Sequence, residues 1–256
     1  MRDSQCVELF KYVNLSRDVG KLAVEQAVIK NQIYWASPDS FNDPFDCIPV
    51  LNFGKSDDER RRFYRRVAKQ THPNSPRRYR RAEAQKMAKV PPKQMEADLC
   101  AQWERWISNT AVTCFSEIPD HPLMWGHYGN CHRGVCLGFQ EIADIDIGWF
   151  GFPVEYQDER PQVNLTSFDK EESAIQALCV KSAHWSYERE HRMIDWDGGA
   201  GLRAFPPDQL KSVILGAKIS SDDEQFVRSL VAKKPRLLLY RAEIDESEFK
   251  LNVVPA

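Results

Sequence analysis

Residues 185–192 read WSYEREHR: two carboxylates (Glu188, Glu190), two guanidinium groups (Arg189, Arg192), a histidine and two aromatics in eight positions. In a helix, side chains two residues apart diverge by about 200°, whereas in a strand they share a face. The local backbone therefore decides whether Glu188 and Glu190 act together. The continuation EHRMIDW has the apolar content of a strand and stops at DGGAG, a glycine break. The strand reading, extended through 188–190, puts both acids on one side of a sheet.

Working outward, VELFKYVN alternates apolar and polar positions and reads as a first strand. Ser16 or Asp18 is placed to cap a helix through KLAVEQAVIKN, with Leu22, Val24, Ala27 and Val28 on its buried face. QIYWAS is a short strand, ended by Pro38 and the turn-rich SPDSFNDPFD. From Lys55 to Asn109 the pattern becomes helical, with SDDERRRFYRRVAKQ and KQMEADLCAQWERWISN separated by breaks at HPNSP and VPP. AVTCFSE then resumes as a strand, DHPLMWGHYGN as a short helix capped by Asp120 and stopped at Gly129, and GVCLGF as a strand. WFGFPVEYQ is strand-like and EESAIQALCVKSA helical. FPPDQLKSVILGAKI turns into a strand, SSDDEQFVRSLVAKK is a capped helix, and RLLLYRAEI is a last strand. Without a strict βαβ rhythm, this order predicts an α+β fold. The expectation is one domain, 1–256, with a mixed, largely antiparallel split sheet, flanking helices and a basic helical insertion at about 55–110.

With 42% hydrophobic and 28% charged residues, the composition is that of a globular protein. No apolar run approaches the roughly 20 residues that cross a bilayer, and MRDSQCVELF lacks the features of a secretory leader. A cytoplasmic location with no membrane partner is expected. The seven cysteines include no CxxC pair, which fits reduced thiols better than a disulfide framework. His127, Cys131, His132 and Cys136 raise the question of zinc, but no second ligand pair follows; no metal centre is predicted.

The net charge of −2 conceals an asymmetry. Between Asp57 and Lys89 twelve Lys or Arg face four acids, so this segment carries +8 and the remainder −10. Such a run is either a solvated helical face or a footprint for nucleic acid or another polyanion, with Arg61 and Arg65 as candidate substrate contacts. In FNDPFD, Asn42 and Asp43 either form an Asx turn anchored by Phe41 and Phe45 or, with Asp46, contact a ligand at the mouth of a site. His127 and Tyr128, a polar pair beside aromatics, suit a nicotinamide or nucleobase pocket. Arg192 can hold a pyrophosphate or pair with Glu190. The plainer account of WSYEREHR is an exposed edge strand with cross-strand ion pairs, Trp185 and Tyr187 covering the core.

Three stretches together, Phe41 to Asp46, Cys114 to Phe139 and WSYEREHR, with LFKY at Leu9 to Tyr12, resemble a widespread prokaryotic family of uncharacterised domains over most of the chain outside the basic segment. The order of elements is also similar, more distantly, to the ADP-ribosyltransferase superfamily. That resemblance implies a first strand gripping NAD, here through Lys11 or Tyr12, a mid-chain strand contributing Ser116 from CFSE, and a late strand carrying the E-x-E pair Glu188 and Glu190. Lys11 departs from the superfamily's Arg or His, lacking the planar fork of arginine. The chain has no Rossmann fingerprint. NAD is then a substrate: Glu190 stabilises the ribosyl cation as nicotinamide leaves, and Glu188 orients or deprotonates a macromolecular acceptor, nucleic acid being one candidate. By resemblance, a toxin or phage-defence effector is implied. The competing readings are a non-catalytic nucleic-acid-binding or adaptor module acting through the basic helices, and hydrolytic or nuclease chemistry with metal at Asp43, Asp46 and the glutamates. The transferase reading requires Lys11, His127 and Glu190 around one cavity.

Overall fold

Period-two alternation in the apolar strands builds a sheet with two different faces, and a separate run of amphipathic helices builds a second core. The computed structural model describes residues 8–140, 151–166 and 170–256. In chain order the elements are β1 (Glu8–Val13), α1 (Asp18–Glu25), β2 (Gln32–Trp35), β3 (Val50–Asn52), α2 (Asp57–Thr71), α3 (Arg77–Met87), α4 (Pro92–Ser108), β4 (Ala111–Ser116), α5 (Pro122–His127) and β5 (Val135–Gln140). They continue with β6 (Phe152–Pro153), β7 (Glu155–Gln157), β8 (Gln162–Asn164), α6 (Lys170–Leu178), β9 (Val180–Ser182), β10 (Glu190–Asp195), β11 (Gly201–Ala204), β12 (Leu210–Leu215), α7 (Ser221–Val231), β13 (Leu238–Ile244) and β14 (Leu251–Pro255). The fold is α+β. Its eight-stranded sheet has the order β14-β13-β12-β5-β1-β4-β10-β6 and is antiparallel throughout except for the parallel pair β12 and β13.

The chain divides into two compact units, one of Met1–Ser37, Thr110–Val154 and His184–Ala256, the other of Pro38–Asn109 and Glu155–Ala183. The helical segment expected at about 55–110 is thus part of a larger, discontinuous unit. Short parallel ladders account for this, because β3 pairs with β8 and β7 with β9, and strands of three residues carry too little periodicity to be read from sequence.

In the first unit one sheet face packs Leu9, Phe115, Leu137, Met193 and Val213 with Val24 and Val28 of the α1 segment and Val227 and Leu230 of α7. The opposite face carries Phe10, Cys136, Ile214 and Ala242, together with Trp125 of α5. Ser220 caps α7 by accepting the Asp223 N–H at 3.2 Å. The expected caps of the two other helices are not used. Arg17 occupies the cap position of α1 and His121 that of α5, neither with a side-chain cap bond. Asp18 is already inside α1, and the Ser16 N–H bonds Asn14 Oδ1.

In the second unit Ser56 caps α2 through the Glu59 N–H. Phe53, Phe63, Tyr64, Ala68 and Ala84 form its core, leaving the arginines of α2 and α3 on the outer surfaces. Asp43 Oδ1 accepts the Phe45 N–H at 2.9 Å, the Asx turn expected of NDP. Phe45 itself is 63% exposed and anchors nothing, contrary to expectation: the turn is held by its own hydrogen bond and by the buried Asp46–Lys181 ion pair at 3.6 Å.

Candidate functional site

Strands β1, β4 and β10 lie side by side, with Phe10 opposite Ser116, Ser116 opposite Glu190 and Cys114 opposite Arg192. Alternation puts Phe10, Tyr12, Cys114, Ser116, Glu190 and Arg192 on one face. Lys11 is on the other. Its ammonium donates to Thr113 Oγ1 (2.9 Å) and to the Cys114 carbonyl (3.1 Å) and sits 5.4 Å from the centre of the Phe115 ring. Burial pushes the Lys11 pKa down, an effect opposed by Cys114 and Glu190 nearby. The expectation that Lys11, His127 and Glu190 ring one cavity is therefore corrected: in a ladder of period two, the strand that points Tyr12 toward the glutamate side necessarily points Lys11 away.

A second correction concerns the backbone of WSYEREHR. Ala183–Glu188 is a 3-10 helix, Arg189 has φ +43°, and Glu190 is the first residue of β10. The acids are not an extended same-face pair, because the Arg189 N–H closes a turn on the Ser186 carbonyl before the ladder begins. Nor is the segment an exposed edge, since Glu188 and Glu190 are 2% and 6% exposed and β10 lies between β4 and β6.

One serine ties the two acids together. Ser116 Oγ donates to the Glu188 carbonyl at 2.6 Å and Ser116 is the ladder partner of Glu190. The Glu188 carboxylate accepts from the Tyr128 hydroxyl at 2.7 Å. Glu190 is gripped by the wholly buried Arg192, Nε at 2.8 Å and Nη2 at 3.0 Å, a bidentate charge-assisted pair. Burial and then the Glu190 charge push the Cys114 thiol well above its usual range. Beside them, Glu117 pairs with Arg189 (2.6 Å) and His191 (2.8 Å). Burial by itself raises the Glu117 pKa, but the His191 hydrogen bond and the Arg189 charge outweigh it and hold the carboxyl below its ordinary range.

Above the acids lies a group of rings. Helix α5 starts at Pro122, which fixes its first turn, and presents His127 and Tyr128. His121 stacks on Tyr187 at 5.2 Å and 16° between planes; His127 lies 6.4 Å from Tyr187 and 5.8 Å from Trp185. His121 Nδ1 is buried with no hydrogen-bond partner among the described residues. The base of α5 is fixed by Tyr12, whose hydroxyl donates to the Ile118 carbonyl at 2.7 Å and whose ring meets Trp125 edge-on; burial pushes its pKa upward. Tyr12 thus supports the helix that carries the rings. After α5, Asn130, Cys131 and His132 all have positive φ (52°, 51°, 69°), each costing about 1–2 kcal/mol for an L-residue. The turn is locked by Cys131 N–H to Gly126, His132 N–H to Trp125 and Gly134 N–H to Gly129 carbonyls. Gly129 is required there, because a Cβ would lie 2.6 Å from the Trp125 ring.

Of the residues singled out from sequence, Tyr12, Ser116, His127, Tyr128, Glu188, Glu190 and Arg192 come together in the first unit, with Lys11 behind the sheet. Asn42, Asp43, Arg61 and Arg65 belong to the second unit. Arg61 and Arg65 are exposed on α2, and Asp43 is engaged by its own turn. Sequence reading gave no role to His121, Glu117 or His191, although Glu117 ends the quoted CFSE and His191 stands within WSYEREHR; His121, between two strands, was marked only by its turn-rich surroundings. No group of three or more His, Cys, Asp or Glu positioned for a metal occurs among the described residues.

A family profile described as a protein of unknown function (DUF2971) matches residues 124–193. That interval includes His127, Tyr128, Glu188, Glu190 and Arg192 and runs from α5 through β10. The similarity supports an uncharacterised domain family. No curated protein and no solved structure matches the chain. No helix among the described residues is long and apolar enough to cross a membrane.

Proposed function

We propose that the first unit is an ADP-ribosyltransferase-like enzyme, acting in the cytoplasm, that takes NAD as substrate and passes ADP-ribose to a macromolecular acceptor. The observation that carries this reading is the convergence on Ser116: it bonds the Glu188 backbone and faces Glu190 across the ladder, beside a ring cluster that holds a buried, unpartnered His121 Nδ1. A flat nicotinamide suits the rings, and its carboxamide offers the missing partner to His121. Glu190, held by the bidentate Arg192 guanidinium, serves in this reading as a fixed electrostatic element for a ribose gaining positive charge. Glu188, which accepts the Tyr128 hydroxyl, takes the proton of the acceptor. The nicotinamide–ribose bond breaks with its electron pair leaving on nicotinamide. The acceptor nucleophile supplies a pair to the anomeric carbon and gives its proton to Glu188. Lys11, on the other face of the sheet, takes no part: the reading proposed here gives up the condition that Lys11 share the cavity and is supported by Ser116, the two glutamates and the rings alone.

The test incubates the full chain with NAD labelled in its adenylate half, with and without protein and nucleic-acid acceptors, and follows nicotinamide release and label transfer. Glu188→Gln, which keeps shape and hydrogen bonding, should abolish both while leaving the circular dichroism spectrum unchanged. A wild-type chain inert toward NAD with every acceptor class, or a Glu188→Gln variant of full activity, rejects the reading.

A further inference from the structure

The second unit contains a feature that the proposed chemistry does not use. On α2, Phe63, Val67 and Gln70 line one wall of a cavity of about 420 Å³ whose other wall is Leu99, Trp103 and Trp106 of α4. Trp103 is buried and Trp106 half-buried, their rings 5.3 Å apart and edge-on. Trp106 is thus the ring best placed to meet a ligand. The cavity is apolar inside, with the exposed amides of Gln70 and Gln102 at its rim.

At 100° per residue, Arg62 and Lys69 follow about 40° and 60° around α2 from the cavity-lining Arg66, and Arg65 about 40° farther. All three are exposed, and none has an ion-pair partner among the described residues. Arg60 and Arg61, just before Arg62 on the helix, are instead paired with Asp57 and Asp58. Arg66 spends one guanidinium nitrogen on the Thr166 carbonyl and lies 5.9 Å from the Phe63 ring, so it supports the wall. The result is an aromatic cavity with a row of uncompensated cations along one margin.

We infer that this cleft binds single-stranded nucleic acid, an unpaired base entering beside Trp106 and Phe63 while the phosphates track Arg62, Arg65 and Lys69. Single strands offer both groups at once, a π-face and a regular line of negative charge, and proteins that bind them combine a cationic track with stacking rings. A duplex hides its bases, and an anionic lipid surface supplies charge without a flat ring.

The experiment measures fluorescence anisotropy of a labelled single strand of about 12 nucleotides with the full chain and no NAD, so its outcome is independent of the transferase reading. A duplex of equal length and vesicles rich in phosphatidylserine are the comparison arms. The single strand should bind at least about tenfold tighter than the duplex, and Trp106→Ala should weaken it by about 5- to 100-fold, while Trp106→Phe, which keeps a stacking face, stays within about threefold. The double variant Arg62→Ala/Lys69→Ala should reduce the slope of log affinity against log salt by about 1–2. Absence of single-strand binding at low salt, equal binding of duplex or vesicles, or undiminished affinity of a folded Trp106→Ala chain overturns the inference.

Discussion

Arg192 in the first unit and Arg61 in the second each pair with a carboxylate on their own element, Glu190 two residues back on a strand and Asp58 three residues back on a helix. The first pair has side chains 0% and 6% exposed at 2.8 Å; the second, 65% and 80% exposed at 3.5 Å. The chemistry of the partners is the same, and the surroundings set what each pair does. In the sheet, neither charge can fall back on water, so each holds the other in place. On the helix, water already solvates both ions, and the contact adds little to what solvent supplies. Burial and not the unit sets the difference, since the second unit has a buried pair of its own, Asp46–Lys181, with side chains 2% and 4% exposed.

Removing a single member of the buried pair breaks this comparison most sharply. Arg192→Ala should cost about 3–5 kcal/mol, since it takes the bidentate guanidinium away from the buried Glu190 carboxylate. Denaturant unfolding followed by circular dichroism measures this, and hydrogen exchange should show β4 and β10 losing protection first. Replacing both partners, Glu190→Gln with Arg192→Met, should recover a large part of the loss, because neither member of the pair is left as a charge without its counterpart. A loss under 1 kcal/mol for Arg192→Ala would show that water reaches the pair. Next in size, Tyr128→Phe should cost about 1–3 kcal/mol by leaving the buried Glu188 carboxylate short of a donor, with nicotinamide release, where present, falling in parallel. Smaller still, Ser56→Ala at the start of α2 should cost about 1 kcal/mol through a lost helix cap, with Ser220→Ala matching it on α7. If the Ser56 change equals the Arg192 change, the distinction between buried and exposed interactions fails.

How far these features were legible in the sequence follows from the length scale of the forces that make them. Helices α2, α4 and α7 and strands β1, β4, β5, β10, β12 and β13 carry enough periodic positions to declare themselves, and Ser56 and Ser220 declare two helix starts through local chemistry. Strands of two or three residues, such as β3 and β8, are made by their partners and leave no local trace. The same limit governs the site. Glu190 and Arg192 share a strand, so alternation alone puts them on one face. The turn at Arg189, which ends the 3-10 helix and separates Glu188 from the strand, depends on a non-glycine residue adopting φ +43°, a conformation uncommon outside glycine. Lys11 was placed on the wrong face for a related reason. LFKY fixes which residues alternate, but the side of the sheet that holds the glutamates is set by the register of β1 on β4, a contact about a hundred residues distant in sequence.

The smallest predicted effect is the most discriminating about the second unit. Arg61 lies on α2 with 65% of its side chain exposed and its nearest carboxylate oxygen at 3.5 Å, so Arg61→Ala should leave the denaturation midpoint where it is, at low salt and at high. Ion pairs of this kind contribute little and are screened once the ionic strength shortens the Debye length to about 10 Å or less. The same substitution should also change single-strand affinity less than Arg62→Ala does, because Arg61 lies about 140° around the helix from Arg66 and already has Asp58 as a partner. A midpoint that drops at low salt and recovers at high salt would mean that Arg61 belongs to a cooperative surface network. An affinity loss as large as that of Arg62→Ala would mean that phosphates wrap the whole helix, and the cationic margin would then be a general polyanion surface with no directed track into the aromatic cleft.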